Sequence, residues 1–184
     1  MRASVGWVLW REVANVPEDL IFHVNYLGGD MPTLALNFSR PGSQVVAQYY
    51  NFLRLGREGY RLVHQASQDV ALHLSSAIEE TGRFRLITRG DELPVFAFTL
   101  ADPEERFTVY DLSSKLREWG WQVPAYTMPP NREDLAILRI VVRNGLSHDM
   151  ADMFLTDLGK AIAWFDGLDA PMPQTREAPK AFSH

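Results

Sequence analysis

Arg139 has neighbours in the sequence which suggest that its side chain needs a carboxylate as a partner. Residues 136–142 read AILRIVV, a short apolar run that predicts a β-strand. Because side chains alternate along a strand, Arg139 shares its face with the β-branched residues Ile137 and Val141. A guanidinium in such surroundings is poorly solvated and needs an anion, and its planar fork matches a carboxylate. Two interpretations stay open: a clamp for a substrate carboxylate, or a structural ion pair with a local Asp or Glu.

Two other segments have residue types that suit a binding site. Ser39 and Arg40 come just before a predicted long helix, where a hydroxyl and a cation could hold a phosphate. A plain turn into the helix explains the same residues. Tyr26 and Leu27 are followed by a pair of glycines, which would permit the motion of a lid over a site. A simple hairpin turn is the plainer explanation of that segment.

The composition excludes several classes of function. The 184 residues are 46% apolar and 22% charged, which is typical of a globular chain of one domain or slightly more. The net charge of -5 gives a nucleic-acid partner little electrostatic support. The absence of cysteine excludes disulfides and thiolate chemistry and fits a reducing cytoplasm. The five histidines lack metal-site spacing, and no apolar stretch is long enough to cross a membrane.

The elements that must position these residues follow from hydrophobic spacing. Residues 5–10 (VGWVLW) predict a buried strand, and extended runs at 20–24 and 33–37 predict a hairpin or projecting loop. From Val45 to about Thr81 there is no proline and apolar residues recur at helical spacing, which predicts a long helix. Gly56 and Gly59 weaken its middle, so a bend or two helices are expected.

Residues 83–168 predict a small α+β unit, in the order strand, strand, helix, strand, strand, helix. Thr108 and Asp111 have the spacing of a capping box, and Ser147 suits the N-cap of the last helix. The helices should cover one face of a mostly antiparallel sheet. The apolar residues expected on the buried face of the last helix are Met150, Phe154, Leu158, Ile162 and Phe165.

Several segments together resemble the glutamate decarboxylases of bacteria and plants. They run along most of the chain, and the long segments NFSRP and QYYNFLRLGREGY are the most specific. The segments are VGWVLWRE at 5–12, FHVNYLGGDMPT at 22–33, LNFSRPGSQVVAQYYNFLRLGREGY at 36–60, YDLSSKLREWGWQVPAY at 110–126 and LRIVVRNG at 138–145.

The resemblance implies an α/β fold of fold type I, the class of pyridoxal-phosphate-dependent transferases. On this basis residues 1–42 are the trailing part of the large cofactor-binding domain, and residues 43–82 are a connecting helix. Residues 83–168 are then the C-terminal small α+β domain, and residues 169–184 a C-terminal tail. The enzymes of this family form dimers or larger homo-oligomers.

The resemblance also implies an activity and roles for particular residues. The family converts L-glutamate to 4-aminobutyrate and CO2, with pyridoxal 5'-phosphate as the electron sink. By resemblance Arg139 binds a substrate carboxylate, and Ser39 binds the cofactor phosphate of a neighbouring subunit. Tyr26 and Leu27 look like lid residues over the neighbour's site. His184 occupies the place of a histidine that closes the site as pH rises in some bacterial members.

The chain departs from the family in one large respect. The lysine that forms the internal aldimine belongs to an SGHK-type motif, and none of Lys115, Lys160 and Lys180 matches it. Two functions are therefore expected. The first is that of a truncated glutamate decarboxylase, a carboxy-lyase by family, that is inactive alone. The alternative is a non-catalytic partner that docks on a complete or complementary decarboxylase chain.

Overall fold

The computed structural model describes residues 7–24, 31–34 and 41–172. The chain divides into two compact units, Met1–Gly59 and Tyr60–His184. Two short 3-10 helices at Val13–Asn15 and Glu18–Leu20 precede the regular elements. The strands and helices are β1 (Phe22–Val24), β2 (Met31–Thr33), α1 (Ser43–Glu80), β3 (Phe84–Thr88), β4 (Val95–Leu100), α2 (Val109–Glu118), β5 (Ala125–Thr127), β6 (Ala136–Val141) and α3 (His148–Asp166).

The first unit contains a small antiparallel hairpin of β1 and β2, with Phe22 opposite Thr33. The expected strand at residues 5–10 is wrong for its described part, because residues 7–10 form no regular structure. A strand needs a hydrogen-bonded neighbour, and among the described residues these four have none. The Trp7 indole N–H instead donates to Gln48 Oε1 at 2.7 Å. No described side chain of this unit is buried.

Helix α1 is interrupted at Gly56, as its two glycines predict. Gly56 has φ +56° and ψ -170°, a conformation outside the helical region that glycine adopts without a Cβ clash. The segment after Tyr60 has its apolar stripe in the core of the second unit, through Val70, Leu74 and Ile78. Its C-terminal end is followed by Gly82 at φ +70°, the left-handed conformation common after a helix.

The second unit contains the predicted antiparallel sheet. Its strand order is β3-β4-β6-β5, and each neighbouring pair is antiparallel. Gly90 allows the β3-β4 connection with φ +83°, close to Ala71 and Phe96. Along the chain the elements follow the predicted order of strand, strand, helix, strand, strand, helix. The α+β prediction for this region is confirmed.

Local capping residues fix where α2 and α3 begin. Thr108 accepts a hydrogen bond from the Asp111 N–H at 3.2 Å, and the Thr108 N–H donates to the Asp111 carboxylate at 2.8 Å. The Ser147 hydroxyl accepts from the Met150 N–H at 3.3 Å. Both caps agree with the sequence prediction and satisfy backbone groups that a helix end leaves unpaired.

The core lies between one face of the sheet and the three helices. From the sheet it takes Phe84, Phe96, Phe98 and Leu138, and from α3 it takes Ala151, Phe154, Leu158, Ala161 and Phe165. Met150 was expected in this core, but its side chain is exposed. It lies one residue before Ala151, and it is Ala151 that faces the core and allows close packing of the helix.

Candidate functional site

Arg139 lies on the face of the sheet that the core helices do not cover. It occupies the middle of β6 opposite Ala97 of β4, and its backbone N–H donates to the Pro124 carbonyl at 3.2 Å. Its strand neighbour Leu138 points into the core, so alternation directs the Arg139 side chain to the other side.

An aromatic ring supports the guanidinium. The Arg139 Cζ atom lies 5.4 Å from the centre of the Tyr126 ring. Tyr126 pairs with Ile137 across β5 and β6, so Arg139 is its diagonal neighbour on the same face. An arginine over an aromatic ring keeps its N–H donors at the edge of the fork available to an anion.

The charge of Arg139 is not matched by an acid of the described chain. No Asp or Glu carboxylate among residues 7–24, 31–34 and 41–172 lies within 4.0 Å of its guanidinium. The ion-pair interpretation left open by the sequence is therefore not realised within these residues. Arg83 of the same unit is the contrast, because it forms ion pairs with both Glu105 and Asp166.

The expected shielding of Arg139 is wrong. Ile137 is buried, but Val141 is half exposed and the Arg139 side chain is exposed. Strand alternation identifies which residues share a face, but it does not say whether another layer covers that face. Among the described residues no helix covers it, so the guanidinium is solvated rather than enclosed between β-branched side chains.

A cleft of about 640 Å³ opens in the second unit. Arg85 and Thr99, which pair across β3 and β4, line it together with Glu133 and Asp134. Thr99 follows Ala97 by two residues, so these side chains belong to the face that carries Arg139. Glu105 also lines the cleft, so one cation and three acids face it. The sequence contained no signal for it, nor for the Tyr126 contact, because both depend on which strands become neighbours.

The other predicted site residues belong to segments that the structure does not describe. Ser39, Tyr26, Leu27 and His184 lie outside the residues that the structure describes. Their predicted roles in phosphate binding, in a lid and in closure of the site therefore stay predictions. Arg139 is the one predicted site residue within the described ranges.

The two described lysines lie on helices that pack against the core face of the sheet. The Lys115 ammonium is 4.0 Å from the centre of the Trp164 ring and 2.8 Å from Glu118 Oε2. The Lys160 ammonium is 2.9 Å from Asp157 Oδ1. Both amines are thus engaged on the side of the sheet opposite Arg139, and neither could share a small-molecule site with it.

The described ranges contain neither a cluster of metal-binding side chains nor a membrane-spanning helix. No three His, Cys, Asp or Glu side chains there are grouped so that they could hold a metal ion. No helix in those ranges has the length and apolar character needed to span a membrane.

The chain is similar to known decarboxylases along most of its length. Residues 1–101 match the family model of the pyridoxal-dependent decarboxylase conserved domain. The glutamate decarboxylase of Aliivibrio fischeri is 55% identical over 164 residues, which are 88% of this chain and 35% of that protein. The chain therefore spans about a third of the length of the curated relatives that it matches.

Solved structures agree with this. The structure of Lactobacillus brevis glutamate decarboxylase matches with a TM-score of 0.78 and 45% identity, over 86% of this chain and 36% of that one. A sphingosine-1-phosphate lyase of Burkholderia pseudomallei matches with a TM-score of 0.63 and 25% identity, over 78% of this chain and 30% of that one. These neighbours are fold-type I enzymes, which confirms the predicted fold class. The chain belongs to the pyridoxal-dependent decarboxylase family.

Proposed function

We propose that this chain is the carboxylate-binding part of a glutamate decarboxylase, which converts L-glutamate to 4-aminobutyrate and CO2. The observation that carries the proposal is the Arg139 guanidinium. It is exposed on the face of the sheet away from the core helices, over the Tyr126 ring and with no described acid in reach. The similarity to glutamate decarboxylases supplies the substrate, a dicarboxylate whose charge complements this group.

Arg139 would act by binding and orienting. Its planar fork can donate two parallel hydrogen bonds to one carboxylate, which fixes the direction of the substrate as well as its position. β-strand residues hold such a group more precisely than loop residues do. Each hydrogen bond to a charged group contributes about 1.5–3 kcal/mol, so losing this contact should be easy to detect.

The described residues do not by themselves fit pyridoxal 5'-phosphate. This cofactor needs a lysine amine beside the substrate, and Lys115 and Lys160 are both engaged on the opposite side of the sheet. The rest of the cofactor site must therefore come from other residues. Ser39 as a phosphate ligand in a neighbouring subunit, Tyr26 and Leu27 as a lid and His184 as a closing group are part of this proposal.

The remaining parts of the proposal concern the cellular location, the domain boundaries and the oligomeric state. We place the protein in the cytoplasm, which the lack of cysteine supports. We divide it into the end of a large domain, a connecting helix and a small domain, with the boundaries given above. Like the resembling enzymes, it would work as a homo-oligomer. The chain alone should show no visible cofactor absorbance and release no CO2 from glutamate.

The alternative, a non-catalytic partner that docks on another decarboxylase chain, has one observation in its favour. The described residues of the first unit bury no side chain but expose many apolar ones, among them Trp7, Leu9 and Val13. A segment of this kind requires a covering surface.

The test joins this chain to the region of a glutamate decarboxylase that lies outside the match, so that the cofactor lysine is restored. Arg139→Ala in that protein should lower kcat/KM for glutamate by about a hundredfold or more, from the loss of roughly 3 kcal/mol. The visible absorbance of the cofactor should stay. Arg143→Ala is the matched control, an exposed arginine four residues further along, and should have little effect.

The proposal is wrong if Arg139→Ala keeps kcat/KM within about threefold, or if Arg143→Ala lowers it equally. Loss of the absorbance together with the activity would place Arg139 in the support of the cofactor rather than in substrate binding.

A further inference from the structure

The cleft of the second unit is large enough to hold a small molecule. Its volume of about 640 Å³ falls within the range of about 300–1,000 Å³ that is typical of ligand sites. Apolar side chains form much of its wall, among them Leu100, Pro103, Phe107 and Leu135. Such a wall can cover the methylene groups of a ligand, while a few charged groups fix the orientation of that ligand.

Two of the four charged residues that line the cleft have partners within the chain. Both carboxylate oxygens of Glu105 accept hydrogen bonds from Arg83, and the Asp134 carboxylate lies 3.4 Å from the guanidinium of the arginine two residues before it. Arg85 and Glu133 differ, because neither has an oppositely charged group within 4.0 Å in the part of the chain that the structure describes. The cleft therefore offers one cation and one acid to a ligand.

These two charges come from different parts of the sheet. Arg85 belongs to β3, and Glu133 belongs to the connection that leads into β6 at Ala136. Strand β4 separates β3 from β6, so the two backbones lie about 10 Å apart, which is two strand spacings. A ligand that contacts both side chains must therefore have its anion and its cation at the two ends of a short chain. An α-amino acid, whose two charges flank a single carbon, suits this spacing poorly.

We propose that this cleft binds an ω-amino acid, a zwitterion with its ammonium and its carboxylate at opposite ends. The carboxylate contacts Arg85, the methylene groups lie along the apolar wall, and the ammonium contacts Glu133. 4-Aminobutyrate, the product of the proposed reaction, belongs to this class, and in this respect the inference rests on the proposed function. The cleft would then be a second amino-acid site, separate from the contact of Arg139 with the substrate.

The acids give the cleft a preference for the product over the substrate. L-Glutamate has the same carbon chain but a further carboxylate on the carbon that bears its ammonium. With that ammonium at Glu133, the further carboxylate would lie close to Glu133 and Asp134, and like charges at short range repel each other. Loss of this carboxylate as CO2 removes the repulsion, so the cleft should fill as the product accumulates.

The experiment is a titration of the full chain with 4-aminobutyrate, followed by NMR of the ligand, and it needs no catalytic activity. Both charged contacts are to exposed side chains, so we expect a Kd on the order of 1 mM. Butyrate and butylamine, which each carry one of the two charges, should bind about tenfold more weakly or worse. L-Glutamate should bind about fivefold more weakly or worse, because of the repulsion at the acids.

Substitutions at either end of the cleft should weaken the binding of 4-aminobutyrate. Arg85→Ala should raise the Kd about fivefold or more, and so should Glu133→Gln with Asp134→Asn. The matched control for the two acids is Asp91→Asn with Glu92→Gln, a neighbouring pair that is also exposed but does not line the cleft. This control should leave the Kd within about twofold.

Any of three results would overturn this proposal. The first is that 4-aminobutyrate does not bind, although the second unit gives a cooperative thermal transition. The second is that butyrate, butylamine or L-glutamate binds as tightly as 4-aminobutyrate. The third is that Arg139→Ala weakens the binding and Arg85→Ala does not, which would place the ligand at the proposed substrate contact instead. None of these results decides the test of the proposed function, which measures the turnover of glutamate.

Discussion

Arg83 and Arg139 belong to the same unit but have opposite surroundings, and replacing each with alanine separates a structural arginine from a binding one. The Arg83 guanidinium donates to both carboxylate oxygens of Glu105, at 2.7 and 2.9 Å, and to both of Asp166, at 2.9 and 3.2 Å. These acids, Asp166 first and then Glu105, raise the pKa of Arg83 above its ordinary value. Within the part of the chain that the structure describes, the Arg139 guanidinium contacts the Tyr126 ring and no carboxylate.

The expected magnitudes follow from what each truncation leaves behind. Without Arg83, the Glu105 carboxylate, only 13% exposed, loses its cation, which costs about 2–4 kcal/mol because hydrogen bonds to charged groups contribute 1.5–3 kcal/mol each. Asp166 is 46% exposed and solvent can replace its partner, so it adds little. Truncation of Arg139 removes one exposed cation–π contact, about 0.5–1 kcal/mol.

The assay is thermal unfolding of the chain, followed by circular dichroism. For a unit of this size 1 kcal/mol shifts the midpoint by about 4 °C. Arg83→Ala should therefore lower it by about 8–16 °C, and Arg139→Ala by about 4 °C or less. Arg143→Ala serves as the control for loss of an exposed arginine. Equal losses for Arg83→Ala and Arg139→Ala would refute the reasoning, because Arg139 would then have a structural ion partner.

Two further predictions concern the second unit. The Trp121 indole N–H, and next the Lys160 ammonium, lower the pKa of Asp157. The stabilisation of the folded state by the Asp157 carboxylate should therefore be complete above the unfolded pKa of about 4. It should be lost as pH falls through the lower pKa of the folded state. Unfolding midpoints of Asp157→Asn and the unsubstituted protein should differ at pH 7 and converge near pH 2, and a constant difference would contradict this. Thr108→Ala removes the hydroxyl of a capping box with Asp111 and should cost about 1 kcal/mol in chemical denaturation, whereas Thr108→Ser should cost little.

The features predicted correctly from sequence depend on contacts within a few residues. The capping box of Thr108 and Asp111, the cap at Ser147 and the interruption at Gly56 each have a local cause. The features predicted wrongly depend on distant neighbours. Residues 7–10 have the apolar character of a strand but no neighbouring strand among the described residues. Met150 has helical spacing like that of Phe154, yet the layer beneath α3 does not reach it.

The residues of the candidate site also differ in how far the sequence predicts them. Alternation in AILRIVV was enough to select Arg139 and to separate its face from that of Leu138. It could not supply Tyr126 or Ala97, because these become neighbours only through the β5-β6 and β4-β6 pairings. The absence of a described acid beside Arg139 is likewise a property of the assembled sheet. The sequence alone therefore identifies the Arg139 guanidinium as the chemical group. The pairing of the strands determines its surroundings, and these decide between a substrate clamp and a structural ion pair.

The two segments of α1 extend this argument to the whole chain. Both have an apolar side at helical spacing, so a pattern alone predicts burial for both. After Tyr60 the apolar side is buried within the chain, where Leu74 and Ile78 lie in the core of the second unit. Before Gly56 the apolar side is not buried, and Tyr49 and Leu53 remain exposed. An amphipathic pattern thus specifies that a helix needs a covering surface, but not which molecule provides it.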